Sequence, residues 1–226
     1  EPYRRQRQMC IRDRTKTFVL GTEKVTALND VSISVEKGQI CAVLGTSGSG
    51  KSTLLNMLAG LERPTSGSVY IGRHRIDKMT ERELTLFRQK FTGFVFQSYN
   101  LIPSLTALEN VAMPLMFKGV GKQEREARAL EMLRLVGLEN RKNHRPFEMS
   151  GGQQQRVGIA RAFVSNPRVI FADEPTGNLD SETTKNVMQL VCGLVHENNS
   201  TMILVTHDNG AVSYTHLRAH ETTLHL

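Results

Sequence analysis

The sequence predicts an α/β domain: a parallel sheet that carries a phosphate-binding loop, antiparallel strands ahead of it, and a helical insert within it. Three observations lead there. Gly45-Thr46-Ser47-Gly48-Ser49-Gly50-Lys51-Ser52-Thr53 fits the pattern G-x-x-x-x-G-K-[ST], with an apolar run at 39–44 before it and Leu54, Leu55, Leu58 and Leu61 at helical spacing after it. A second apolar run, Val169-Ile170-Phe171-Ala172, ends in two adjacent carboxylates, Asp173 and Glu174. Between the two, residues 98–165 change character from strand to helix.

Taken in order, Phe18 opens a segment to Leu28 that reads as strand, turn, strand. Val31-Ser32-Ile33-Ser34-Val35 alternates apolar and polar, the pattern of a half-buried strand, and Glu36-Lys37-Gly38 turns the chain. The apolar run at 39–44 follows as a buried strand, then the glycine-rich loop and its helix. A turn at 63–67 leads to a strand at 68–72. Thr80 with Glu83, and Thr106 with Glu109, are capping boxes that start helices, the second of which Pro114 should end or kink. A buried strand is expected at 91–97, ending in Gln97. An amphipathic helix is expected at 122–136, with Ala127, Leu130, Leu133 and Val136 on one stripe. Met149-Ser150-Gly151-Gly152-Gln153 leads into a further helix that stops before Pro167. Strand signals return at 169–172 and 202–206, with a helix at 181–196 between them.

Composition narrows the function classes. The net charge of +7 could suggest nucleic acid. However, the first 14 residues carry a net +3, and the charges of 15–212 are interspersed, as on an ordinary solvated surface, so no nucleic-acid partner is expected. No apolar run is long enough to span a membrane. Cys10, Cys41 and Cys192 show no paired spacing, which fits a reducing cytoplasm. Residues 1–14 and 213–226 have neither helix nor strand period. They resemble peptides translated from sequencing-adapter DNA and are expected to stand outside the domain. His216 and His220 in the second of these are four apart, but His220-Glu221-Thr222-Thr223-Leu224-His225 misses the H-E-x-x-H zinc pattern by one residue, so no metal is expected there.

The motifs carry specific chemistry. Glycines let backbone N–H groups close around a polyphosphate, Lys51 reaches its β- and γ-phosphates, and the Ser52 hydroxyl can ligate Mg²⁺. In a parallel sheet, ligands bind beyond the carboxyl ends of the strands. Asp173 and Glu174 are therefore expected near the phosphates, Asp173 in the metal's coordination shell and Glu174 on the attacking water. Ser150 and the N–H groups after it, at a helix N-terminus, can grip a phosphate.

With Met149-Ser150-Gly151-Gly152-Gln153 in place of LSGGQ, the chain resembles the ATP-binding cassette (ABC) ATPases over about residues 15–209. The resemblance implies a RecA-like P-loop NTPase core at 15–97 and 166–212, an N-terminal antiparallel β subdomain, and an inserted α-helical signature subdomain at 98–165. It implies ATP as substrate and Mg²⁺ as cofactor. Phe18 stands at the position that stacks on adenine, and residues Gly45 to Thr53 form the Walker A loop. Gln97 is the Q-loop residue, catalytic and a metal ligand. Ser150, Gly151, Gly152 and Gln153 are the signature, Asp173 and Glu174 the Walker B pair, Asp180 the D-loop, and His207 the switch histidine. Lys51, Gln97, Glu174 and His207 would be catalytic; Ser52, Gln97 and Asp173 would hold the metal. In this family two nucleotides are sandwiched head-to-tail in a dimer, each between one Walker A loop and the other signature. Phe96-Gln97-Ser98-Tyr99-Asn100-Leu101 and Asp173-Glu174-Pro175-Thr176-Gly177-Asn178-Leu179-Asp180 look like the lipoprotein-release, macrolide-efflux and cell-division branch. That branch implies a transmembrane permease with a large extracytoplasmic domain, and a place at the cytoplasmic face of the bacterial plasma membrane. A soluble cassette ATPase acting on DNA or ribosomes is the alternative, opposed by the lack of sustained heptads between Lys51 and Ser150. Residues 97–117 are expected to form the permease groove, with Leu101, Ile102 and Leu105 either lining it or packing the insert onto the core. Family members normally continue past His207 with a helix and further strands, which the tail-like 213–226 does not resemble.

Overall fold

The computed structural model describes residues 7–20, 23–46, 48–208, 210 and 223–225, some of those in the outer strands by backbone alone. Its centre is a five-stranded parallel sheet. The strands are β3 (Ile40–Leu44), β6 (Thr92–Phe96), β7 (Val169–Asp173), β8 (Thr201–Thr206) and β9 (Thr223–His225), in the order β6-β7-β8-β3-β9. A four-stranded antiparallel sheet stands beside it. It comprises β1 (Arg7–Leu20), β2 (Glu23–Glu36), β4 (Ser66–Ile71) and β5 (His74–Arg75), in the order β2-β1-β4-β5. Six α-helices are described: α1 (Lys51–Leu58), α2 (Glu81–Phe91), α3 (Ala107–Phe117), α4 (Lys122–Leu135), α5 (Gly151–Phe163) and α6 (Ser181–Glu197).

The parallel sheet is a partition between two cores, and this explains its unbroken apolar strands. Ile170, Ala172, Met202 and Leu204 face one core, built with α3 to α6. Val169, Phe171, Ile203 and Val205 face the other, where Leu54, Leu55 and Leu58 of α1 meet Met9, Ile33, Val35, Val69 and Ile71 of the antiparallel sheet. Successive residues point to opposite faces, so one strand serves both cores. Cys41, in β3, belongs to the second core, where burial pushes its thiol up to about 11.

Several expectations are corrected. Arg7–Leu20 is one strand, so residues 7–14 are part of the sheet rather than outside the domain: Met9 is buried opposite Val35 and Ile71. Ladder hydrogen bonds are made by the backbone and need no alternating sequence where neighbours on both sides supply the register. Residues 223–225, also expected outside, pair in parallel with β3. The second strand does not stop at Leu28 but runs through to Glu36. The helix after the glycine-rich loop ends at Leu58. Gly60, at φ 66°, closes it by donating to Met57 O while Leu61 N donates to Asn56 O, which leaves Leu61 outside and half exposed. In α4 the buried stripe is Ala129 and Leu133, continued by Val136 at its C-cap, with Met132 packed beside it, and Ala127 is exposed. Both capping boxes form, and α3 carries Pro114 inside it and ends one turn later. Among the described residues, no helix is long and apolar enough to cross a membrane.

Candidate functional site

The predicted residues gather where the carboxyl ends of the parallel strands meet the start of α1. β3 ends at Leu44, and the loop curls back so that Ser49 N donates to Thr46 O. Gly50, at φ 89°, is the N-cap of α1; a Cβ there would stand 2.4 Å from the Ala27 carbonyl oxygen. That glycine is therefore required by the antiparallel strand behind the loop as well as by the loop's own curl. The Lys51 side chain is buried, and its Nζ donates to Thr46 O at 2.6 Å. The Ser49 hydroxyl is buried and has no hydrogen-bond partner among the described residues. Gly48, at φ 81°, has nothing within 4 Å of its Cβ position among the described residues, and Thr53 follows on the first turn of the helix. Ser47 lies outside the described residues, as does the Phe18 side chain, whose backbone pairs with Val25; His216 and His220 lie outside them too.

The acidic pair arrives from β7. Ser52 Oγ donates to Asp173 Oδ1 at 3.1 Å, which joins the helix start to the end of the strand. Burial holds the Asp173 carboxyl above its ordinary range; the Ser52 bond opposes this, Glu174 adds to it, and Lys51 opposes it. Glu174 takes φ 43°, a left-handed conformation that a non-glycine residue rarely adopts, while its N–H donates to Val205 O. Its carboxylate lies 3.0 Å from His207 Nδ1. His207 follows β8 in a turn closed by Asp208 N donating to Thr206 Oγ1 at 3.0 Å. Gln97, just past β6, reaches Asn178 Oδ1 with its amide at 3.5 Å, and Asn178 Nδ2 donates back to Gln97 O at 3.1 Å. A Cβ on Gly177 would lie 2.7 Å from the Gln97 amide nitrogen, so the two loops are packed against each other.

The fit to a metal can be judged from these donors. A serine hydroxyl and one or two carboxylates at a polyphosphate loop are hard oxygen donors of the kind Mg²⁺ takes together with substrate phosphates. Among the described residues, no group of three or more His, Cys, Asp and Glu is arranged so that it could hold a metal ion by itself. The donor set thus suits a metal shared with a substrate rather than an all-protein cage. Gln97, expected as a further ligand, makes its hydrogen bonds to Asn178.

The signature residues bond within the start of their own helix. Ser150 is the N-cap of α5: its hydroxyl accepts from Gln153 N at 3.4 Å, and its own N–H donates to Gln153 Oε1 at 3.0 Å. Gly151 and Gly152 permit close packing, since a Cβ would meet the Tyr99 hydroxyl at 2.8 Å and Thr183 Cγ2 at 2.7 Å. Asp180 caps α6, accepting from the N–H groups of Glu182 and Thr183 and from the Thr183 hydroxyl at 2.6 Å. Those bonds hold its carboxyl below the ordinary range.

Between the sheet and the helices lies a second feature, an apolar groove of about 650 Å³ lined by Leu61, Phe94, Phe96, Met113, Pro114 and Phe117. Phe117 is 63 % exposed. Of the expected groove residues, Leu101 packs against the helical core, and neither Ile102 nor Leu105 lines the groove. The helical turns of α3 present Met113, Pro114 and Phe117 there instead, on one face of the helix. Sequence reasoning also missed Gln155 and Arg161. A charged residue inside Ile159-Ala160-Arg161-Ala162-Phe163 was the available signal, because a cation in an apolar run must find partners.

Comparison with known proteins agrees with this geometry. The profile of the ABC transporter family matches residues 28–177. An uncharacterized ABC transporter ATP-binding protein of Methanocaldococcus jannaschii, MJ0796, is 50% identical over 198 residues, covering 86% of this chain and 84% of its own. The ABC transporter ATP-binding protein YtrE of Bacillus subtilis is 50% identical over 204 residues, with 88% of each chain covered. The lipoprotein-releasing system ATP-binding protein LolD of Chromohalobacter salexigens is 46% identical over 200 residues, covering 88% and 84%. A dimeric MJ0796 structure in a post-hydrolysis state, bound to ADP and Pi, superposes with a TM-score of 0.85 at 45% identity, covering 91% of this chain and 90% of that one. Motif order, site geometry and these matches lead to one conclusion: the chain belongs to the ABC transporter ATP-binding family.

Proposed function

We propose that the chain is the subunit that binds and hydrolyses ATP to drive a membrane transporter or force-transmitting complex. The observation that carries the proposal is the pair of contacts at the loop, Ser52 to Asp173 and Glu174 to His207. Phosphates enter the cradle of N–H groups at the start of α1, where the helix dipole favours negative charge. Lys51 turns from Thr46 O to the phosphates. Ser52 and Asp173 would hold Mg²⁺, which would supply charge neutralisation for the phosphates. Glu174 orients the attacking water and accepts its proton. His207, poised on Glu174, contacts the γ-phosphate, and Gln97 joins that site from the neighbouring loop. Phe18 stacks on the adenine.

Ser150, Gly151, Gly152 and Gln153 complete a second chain's site, with Asp180 beside them, in a head-to-tail homodimer. The dimeric state of the MJ0796 structures supports this reading. Such an interface should bury at least about 1,600 Å². The groove lined by Met113, Pro114 and Phe117 receives a cytoplasmic helix of the permease, which places the subunit at the inner face of the plasma membrane. The likeness to LolD favours a lipoprotein substrate, and the branch that the motifs resemble would pair the subunit with a permease that has a large extracytoplasmic domain.

The test is Glu174→Gln. Turnover should fall by roughly 10²–10⁴-fold while ATP binding persists. Light scattering should show a dimer with Mg-ATP that dissociates when ATP is removed. Turnover close to that of the wild type would refute the role of Glu174, and a monomer at every concentration would refute the sandwich.

A further inference from the structure

Two polar side chains of α5 are buried without belonging to the signature. Gln155 is fully buried; its Nε2 donates to Pro175 O, one residue past Glu174, and its Oε1 has no partner among the described residues. Arg161, 8 % exposed, donates through Nη2 to Tyr99 O at 2.8 Å and through Nη1 to Asn100 O. Tyr99 and Asn100 follow Gln97 closely and take φ 60° and 48°, two left-handed residues in succession. Such a pair persists only where the surroundings hold it. The planar fork of Arg161 does so by serving both carbonyls. The same loop lies along α5: the Tyr99 hydroxyl stands against Gly151 and the Tyr99 carbonyl against Gly158. Gly151, Gly158 and Arg161, at i, i+7 and i+10, share one face of the helix.

The structure assigns Gln155 and Arg161 as positioning residues: from one helix they fix the backbone beside Glu174 and the backbone beside Gln97. The helix that begins with the signature therefore holds both loops that flank the hydrolytic water, and the phosphate contact of one chain's α5 is tied to its own catalytic carboxylate. This assignment rests on the hydrolytic reading above.

Gln155→Met tests it. The substitution has similar volume; it takes the donor from Pro175 O but also removes a buried acceptor that lacks a partner among the described residues, so the two effects offset and the fold should change little. In the full chain, kcat for Mg-ATP should fall between roughly 10- and 100-fold, the cost of a misplaced catalytic group. KM, and the Kd for a ribose-labelled fluorescent ATP, should stay within about twofold, since binding is not what is lost. The melting temperature should move by no more than about 4 °C. In Glu174→Gln, adding Gln155→Met should lower kcat no further, because the group being positioned is already gone. A lower melting temperature with kcat intact, or the same fold loss in both backgrounds, would overturn the assignment. If Gln155→Met does not fold, Arg161→Lys carries the test: it keeps the charge but loses the fork. Its loss of kcat should vanish in Gln97→Ala, and persistence there would overturn the assignment. A wild type without turnover would refute hydrolysis itself and the assignment with it. An active wild type with an equally active Gln155→Met would refute the assignment alone.

Discussion

Gly48 and Gly50 form a controlled pair in the phosphate loop. Both have positive φ, 81° and 89°, so alanine at either pays a similar backbone penalty of roughly 1–2 kcal/mol. They differ in surroundings. At Gly48 the Cβ meets nothing within 4 Å among the described residues, whereas at Gly50 it would come within 2.4 Å of Ala27 O and 3.2 Å of Leu28 Cδ2. A backbone oxygen cannot rotate away, so the antiparallel strand or the start of α1 must shift. Overpacking of this kind costs about 1–3 kcal/mol. Gly50→Ala should therefore lose about 2–5 kcal/mol and Gly48→Ala only about 1–2. For a chain of this size each kcal/mol moves the melting temperature by about 2–4 °C, so Gly50→Ala should melt about 2–12 °C below Gly48→Ala. Calorimetry of the two nucleotide-free variants measures the difference directly, because the shared φ penalty cancels. Equal melting temperatures would refute the steric role of Ala27 and leave nucleotide approach as the reason for glycine at position 50.

Asp173→Asn should separate stability from function. The Asp173 carboxyl is raised above its ordinary range, chiefly by burial. Its favourable share of stability is therefore present below the unfolded pKa and lost as pH rises through the folded one. Nucleotide-free Asp173→Asn should melt higher than wild type at neutral pH, by a margin that shrinks toward about pH 4, and Mg-ATP should no longer raise its melting point. A margin that grows on acidification would contradict the sign. In the groove, Phe117→Glu should leave the isolated chain folded and hydrolysing ATP, since the side chain is 63 % exposed, yet abolish co-purification with the membrane subunit. Unfolding of that variant, or an undiminished complex, would remove the groove as the docking site.

The sequence alone determined the order and type of the elements around the chemistry. The glycine-rich loop, the two capping boxes and the acidic end of β7 are local signals: each depends on residues within a few positions of one another. The resemblance added the roles expected of Gln97, Ser150 and His207. Tertiary structure decided what those local signals could not. Arg7–Arg14 has no strand period, and only the pairing of Met9 with Val35 and Ile71 makes it part of β1. Leu101 is as apolar as Met113 and Phe117, yet it packs against the helical core from the loop before α3, while those two, on α3, line the groove. The reason for glycine at position 50 lies in Ala27, 23 residues earlier. Gln155 and Arg161 gain their meaning only from carbonyls on loops distant in the chain, Pro175 in one case and Tyr99 and Asn100 in the other. Motifs are legible because short-range sterics and hydrogen bonding write them into neighbouring residues. The supports that hold motifs together are contacts between elements, and packing chooses those after the chain has closed on itself.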